Sequence, residues 1–235
     1  MSQPFDQIHA AILAGADPEV QRKLLRTVPG AQTVGVPVPQ LRLIAKDFRA
    51  QNPPLTLEAA CGLLDELCKT HLREDMLVGI FILGGFGRKA AHLPWARLAP
   101  WIAALDNWET CDQLASNVAG AVVAANPGLV DQLEGLTGSM NPWQRRFALA
   151  TASELNHKGR THPAETLRIC LPLLGDREMT VRKAVAWALK EASKHAPDLI
   201  FEFLLEHGGE MHPSVLREAA EKLSPAQRTQ LGTIH

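Results

Sequence analysis

The chain has no tyrosine and few aromatic residues of any kind, so each of its five tryptophans is worth placing. It also lacks an excess of charge: 24 Lys and Arg stand against 25 Asp and Glu. A nucleic-acid reader of this composition has to concentrate its positive charge on one surface. No apolar run approaches the ~18 residues of a membrane span. The opening Met-Ser-Gln-Pro-Phe-Asp shows neither the basic nor the apolar region of a signal peptide. Cys61, Cys68, Cys111 and Cys170 have no paired metal spacing and sit in apolar helical patterns, which points to buried free thiols in a reducing cytoplasm. His71, His92, His157, His162 and His212 lack the i, i+4 spacing with a third partner that a metal site needs, so no metal is expected. Gly84-Gly85-Phe86-Gly87 follows a helix and has no Lys-Ser/Thr after it, which makes it a helix stop and not a phosphate loop. There is no Gly-x-Ser-x-Gly elbow and no sign of an organic cofactor.

Strand signals are equally scarce, and what remains is helix. Apolar positions recur at helical period between Pro, Gly and Asn breaks, predicting helices over about 3–14, 17–27, 38–50, 57–69, 74–83 and 93–105. The Trp108 helix comes next, followed by others over about 128–136, 141–156, 163–174, 177–195, 197–207 and 212–223. The tail after Pro225 is poorly signalled. Gln144 to Glu154 and Val181 to Glu191 share a pattern 37 residues apart, a basic pair followed by an alanine-rich stripe. The Trp108 helix falls into register about 35 residues earlier, close to the ~40-residue period of HEAT-type repeats. The expected fold is therefore all-α, a curved solenoid of HEAT-like antiparallel helix pairs forming one domain over 1–235 and acting as a monomer.

The Trp108 helix opens with two good caps, Asp106 and Asn107, and with Glu109 at the positive end of its dipole. Trp108 and Asp112 are four residues apart and point to one side. Helical geometry puts Cys111, Leu114, Val118, Ala121 and Val122 in the core and leaves Ser116, Ala119 and Val123 as small groups beside Trp108 and Asp112. A large aromatic and a carboxylate on a pared-down surface leave room for something bulky. On a later helix Trp187 shares a face with Lys183, Lys190 and Lys194, opposite Val181, Val185, Ala188, Leu189 and Ala192. A lone Trp is more often core, and lysine stems also pack on exposed indoles without any function; here the wheel places the ring among lysines. Arg146 lies with Trp143, Ala150 and Ser153, where a guanidinium can meet phosphate oxygens bidentately. For Arg145 and Arg182 the plainer reading holds, a solvated face or a bridge to the neighbouring repeat's acid.

These segments resemble the AlkD-type bacterial DNA alkylation repair glycosylases over roughly residues 20 to 225. The resemblance rests on Gly35-Val-Pro-Val-Pro39-Gln-Leu-Arg42-Leu-Ile-Ala-Lys46, Arg73-Glu74, Trp108-Glu-Thr-Cys-Asp112, Asn141-Pro-Trp143-Gln-Arg-Arg146 and the Val181 to Glu191 helix that carries Trp187. It implies HEAT-like repeats and a DNA glycosylase that excises cationic N3- and N7-alkylated purines from double-stranded DNA, with the lesion left in or near the duplex. By it Asp112, Trp108 and Trp187 would be the catalytic residues and Arg146 would hold the DNA backbone; Trp143, Lys183, Lys190 and Lys194, on the same faces as Arg146 and Trp187, are expected to bind DNA beside it. The family's best-studied members have a tyrosine near the position of Arg26, which this chain cannot supply. Two rivals stay open: a catalytically silent DNA-structure binder of the same family, and a HEAT-repeat protein scaffold.

Overall fold

The structure, a computed structural model, describes residues 2–157 and 159–232. The last three residues of the tail lie outside them. The fold is all-α. Among the described residues there are fifteen α-helices and one isolated β-bridge, between Gln32 and Leu72. No helix is long and apolar enough to cross a membrane. The helices divide into two compact units, Met1–Val122 and Val123–His235.

The first unit holds α1 (Gln3–Ala14), α2 (Pro18–Thr27), α3 (Val38–Gln51), α4 (Leu57–Leu67), α5 (Arg73–Gly84), α6 (Trp95–Ala103) and α7 (Trp108–Leu114). A π-helical turn over Ala115–Ala119 carries α7 into α8 (Gly120–Ala125), within which the two units meet in sequence. The second unit holds α9 (Val130–Thr137), α10 (Pro142–Glu154), α11 (Pro163–Cys170), α12 (Met179–Ser193), α13 (Pro197–His207), α14 (Pro213–Ala219) and α15 (Pro225–Leu231).

Six of these helices begin on a proline: α2, α10, α11, α13, α14 and α15. The missing N–H costs nothing at a first-turn position, and the fixed φ suits helix entry, so a proline-rich chain stays helical. Asp17, Asn141 and Ser224 add side-chain caps just ahead of three of them.

In each unit the second helix of a pair packs on the next such helix. The inner layer is α3, α5 and α7 in the first unit and α10, α12 and α14 in the second. An outer layer lies against it, α4 and α6 in the first unit and α9, α11 and α13 in the second. Partners such as α4 and α5 are joined by short links and pack side by side, so they run antiparallel. The inner helices are covered on several sides. Every residue of α5 from Arg73 to Leu83 is buried, as is every residue of α10 from Arg146 to Glu154.

All four cysteines are buried and outside any disulfide. Burial pushes the Cys68 thiol up to about 12 and raises those of Cys61 and Cys170. These three are core residues with little thiolate at neutral pH.

Candidate functional site

In the first unit the site is built on α7, and the helix start is held in three ways. Asn107 Oδ1 accepts the backbone N–H groups of Glu109 (3.1 Å) and Thr110 (3.0 Å). Glu109 itself is buried and takes a bond from Arg73 Nε at 2.5 Å. It thus anchors α7 to α5, beyond the dipole role expected of it. Trp108 Nε1 donates to the Thr27 carbonyl, the last residue of α2, at 2.8 Å. Trp108 and Asp112 are half-buried, one turn apart on the side that Cys111 and Leu114 leave open. Beside them Arg42 of α3 lies over the Phe81 ring at 4.0 Å and donates to Gln113 Oε1 at 2.9 Å.

The small-residue surface expected along that helix is different in the structure. Ala119 and Val123 are buried, together with Ala115, and Ala121 is partly exposed. The π turn is the reason. Its i→i+5 bonding inserts an extra residue, so after Leu114 the buried stripe widens to take in Ala115, Ala119 and Val123 beside Val118 and Val122. Only Ser116 of the expected neighbours remains half-exposed.

The Arg73–Glu109 pair belongs to a larger buried network. Arg73 Nη1 reaches Glu74 Oε1 and the Val36 carbonyl, both at 3.1 Å. Glu74, fully buried, accepts the Thr33 hydroxyl and the N–H groups of Gly35 and Val36, each of these two at 3.2 Å. A carboxylate surrounded this way substitutes protein donors for water. It fixes the irregular 28–37 connection that leads into α3. Asp75, also buried, takes its partner from α1 through His9 Nδ1 at 3.0 Å. Gly35 completes the loop with φ at +89°, where a Cβ would stand 2.1 Å from the Asp17 carbonyl oxygen. Left-handed backbone costs an L-residue roughly 1–2 kcal/mol and a backbone clash adds about 1–3 kcal/mol. Gly35→Ala is accordingly expected to lower stability by about 2–4 kcal/mol in urea unfolding. A loss below about 1 kcal/mol would show that the loop can relax away from α2.

In the second unit the arginine pair on α10 is divided between two tasks. Arg145 Nε meets Asp176 Oδ2 at 2.7 Å, the bridging one of its two plainer readings. Arg146 is only 7% exposed, and its Nη1 donates to the Thr180 carbonyl at 2.8 Å, at the start of α12. Ala150 and Ser153, expected on an open face with it, are buried because α10 is enclosed from Arg146 onward. Trp143 is half-buried at the first turn of α10.

On α12 the expected stripe of Val181, Val185, Ala188, Leu189 and Ala192 is buried, and Trp187 is half-exposed on the other side. The three lysines beside it differ. Lys183 is exposed. Lys190 Nζ lies 3.0 Å from Glu218 and 3.4 Å from Glu221. Lys194 Nζ lies 2.6 Å from buried Glu191. Burial opposes the charge on Glu191, but the bonds from Lys194 and His157 outweigh it and hold the carboxyl below its usual range. Two of the three lysines therefore spend their charge on protein carboxylates.

A model of the family of DNA alkylation repair enzymes matches residues 8–223, which takes in every residue just described. The chain belongs to the DNA alkylation repair enzyme family. Solved structures share the family's fold at low identity. A protein described as a predicted DNA alkylation repair enzyme, from Enterococcus faecalis, superposes with a TM-score of 0.73 at 20% identity, over 89% of this chain and 97% of that one. AlkD2 from Streptococcus mutans gives 0.59 at 17% identity, over 87% and 99%. The alkylpurine DNA glycosylase AlkC of Pseudomonas fluorescens, solved on DNA containing an abasic site analog, gives 0.54 at 16%, over 98% and 66%. At these identities the likeness is one of fold. A search of the curated proteins found no match.

Proposed function

We propose that the chain is a DNA glycosylase that releases cationic N3- and N7-alkylated purines from duplex DNA. The observation that carries this reading is the α7 pair. A half-exposed indole and carboxylate stand one turn apart on a helix start held by a buried ion pair, in a member of an alkylation repair family. Alkylation at N3 or N7 leaves the purine positively charged and so already a good leaving group. When the C1′–N9 bond breaks, its electron pair neutralises the departing purine and positive charge develops on the deoxyribose. Asp112 stabilises that oxocarbenium-like centre and orients the water that adds to C1′, with the water's proton passing to the carboxylate or to solvent. The Trp108 indole offers its electron-rich face to the same cation. The family pattern assigns Trp187 to catalysis as well and Arg146 to the DNA backbone; Trp143, Lys183, Lys190 and Lys194 join the DNA-binding set through the helix faces they share with Arg146 and Trp187. The solved AlkC complex supports DNA as the partner. A base left in or near the duplex needs no extrusion pocket, unlike the route most glycosylases take.

One observation favours a rival. Lys190 and Lys194 are neutralised within the protein and Arg146 is buried, which weakens general DNA affinity and suits a scaffold. Release of free 7-methylguanine from a methylated duplex decides between them. Time-dependent release supports the glycosylase. No release from that substrate, nor from a duplex with a bulkier cationic adduct, overturns it in favour of a silent binder or a scaffold.

A further inference from the structure

A cleft between α12 and α14 shares only Lys183 with the reading above. It is a cavity of about 230 Å³, walled by Met179, Ala186 and Val215 and edged by Arg182, Lys183 and His212. Glu218 is the one acid on its lining, and Lys190 already holds that carboxylate at 3.0 Å. Neither Arg182 nor Lys183 has an ion-pair partner among the described residues. The cleft therefore carries two uncompensated cations.

His212 adds a donor that does not depend on protonation. Its Nδ1 accepts the Ser214 backbone N–H at 3.2 Å and lies 2.8 Å from the Ser214 hydroxyl, capping α14. With Nδ1 occupied as an acceptor, the hydrogen of the neutral ring sits on Nε2. The walls, in contrast, are apolar. Met179 is 63% exposed on that wall.

A planar guanidinium, an ammonium and an imidazole N–H around one opening suit an anion with several oxygens, and the apolar wall suits a carbon ring attached to it. A sugar phosphate has both. Lys183 also stands one turn before Trp187 on the same face of α12, about 6 Å along the axis. That is one or two nucleotides at about 3.4 Å per step along one strand.

We propose that the cleft binds a backbone phosphodiester one or two nucleotides from the one that Trp187 meets. Arg182 and Lys183 engage its oxygens, His212 Nε2 donates a third bond, and Met179 and Val215 pack under the adjoining sugar. The choice of DNA over a free phosphate rests on the function proposed above. The arrangement makes α14 a second DNA-contacting helix beside α12.

The test uses an undamaged fluorescent duplex, so that no chemistry is required, and follows binding anisotropy across a salt series. Neutralising one phosphate contributes about 0.9 to the slope of log K against log salt. The double variant Arg182→Ala/Lys183→Ala is expected to lose about one unit of slope and roughly tenfold in affinity at low salt. His212→Asn keeps a capping oxygen for α14 while removing the ring. It is expected to weaken binding about threefold to tenfold with the slope unchanged, because a neutral donor is lost. Arg168→Ala, an exposed arginine engaged by Asp131 and Glu134, serves as the control and should change neither quantity. An unaltered slope in the double variant overturns the proposal, as does a wild type that does not bind duplex. Inorganic phosphate that raises the melting temperature of wild type but not of the double variant, with duplex slopes equal, assigns the cleft to a free anion and also overturns it. Base release is measured separately on methylated duplex. A lost slope unit with no base release leaves the cleft standing and removes the glycosylase reading; release with an unaltered slope does the reverse.

Discussion

Asp112→Asn is expected to lower the rate of 7-methylguanine release by about 10²–10³-fold while duplex affinity stays within about twofold of wild type. The substitution is nearly isosteric, so it leaves no cavity. It retains a hydrogen-bonding group and removes only the negative charge. In the ground state the sugar is neutral and the positive charge lies on the purine. The negative charge matters once the C1′–N9 bond stretches and the sugar becomes cationic, which is why the loss falls on the rate and not on binding. The helix start is held by the Asn107 cap and by the Arg73–Glu109 pair. Single-turnover release from a methylated duplex, with anisotropy on the same duplex, separates the two quantities. A variant that excises as fast as wild type would remove Asp112 from the mechanism. A variant that loses binding and rate in equal proportion would make Asp112 a binding residue.

The helices themselves were largely legible in the sequence. Caps such as Asp17 and Asn141, followed at once by proline, mark helix starts through local chemistry that tertiary packing does not override. The one helix missed, α15, has the same kind of signal. Ser224 and Gln227 form a reciprocal capping box around Pro225, and the weak apolar period that follows hid it. Some predicted helices end sooner, in 3-10 turns, as at Leu171–Leu173, where Pro172 removes a donor.

Faces were harder to read than helices. A helical wheel gives each helix a single buried stripe, but the inner-layer helices are covered on several sides, so Thr151 and Ser153 are buried as fully as Ala148. The wheel also assumes an unbroken 3.6-residue period, and the π turn after Leu114 leaves no mark in composition that could have warned of the widened stripe. Trp108, Asp112 and Trp187 survive on partly open faces because they lie before the π turn or on an uninterrupted helix. The residues that hold α7 in place were not legible as a group. Charged side chains are taken to face solvent, and nothing local shows that Arg73, Glu74 and Glu109 close on one another inside the protein.

That network gives the largest effect expected on stability. Arg73→Ala leaves Glu74 and Glu109 without the cation between them, in a place where water cannot replace it. Breaking a buried pair in this way costs about 3–5 kcal/mol, several times the value of a surface pair. At about 2–4 °C per kcal/mol for a chain of this size, the melting temperature should fall by roughly 6–20 °C. Lost packing alone would also destabilise, so a second variant distinguishes the causes. Arg73→Met combined with Glu74→Gln and Glu109→Gln removes every charge of the network at similar volume. It is expected to recover more than half of the loss, because uncharged groups of matched shape leave no stranded carboxylate. Recovery in that variant identifies the two carboxylates as the source of the damage. If Arg73→Ala melts within about 3 °C of wild type, the carboxylates have found water or protons and the network does not hold α7. If the triple variant is no better than Arg73→Ala, the Glu74 bonds to Gly35 and Val36 matter more as oriented charge than as shape, and the loop into α3 is what fails first.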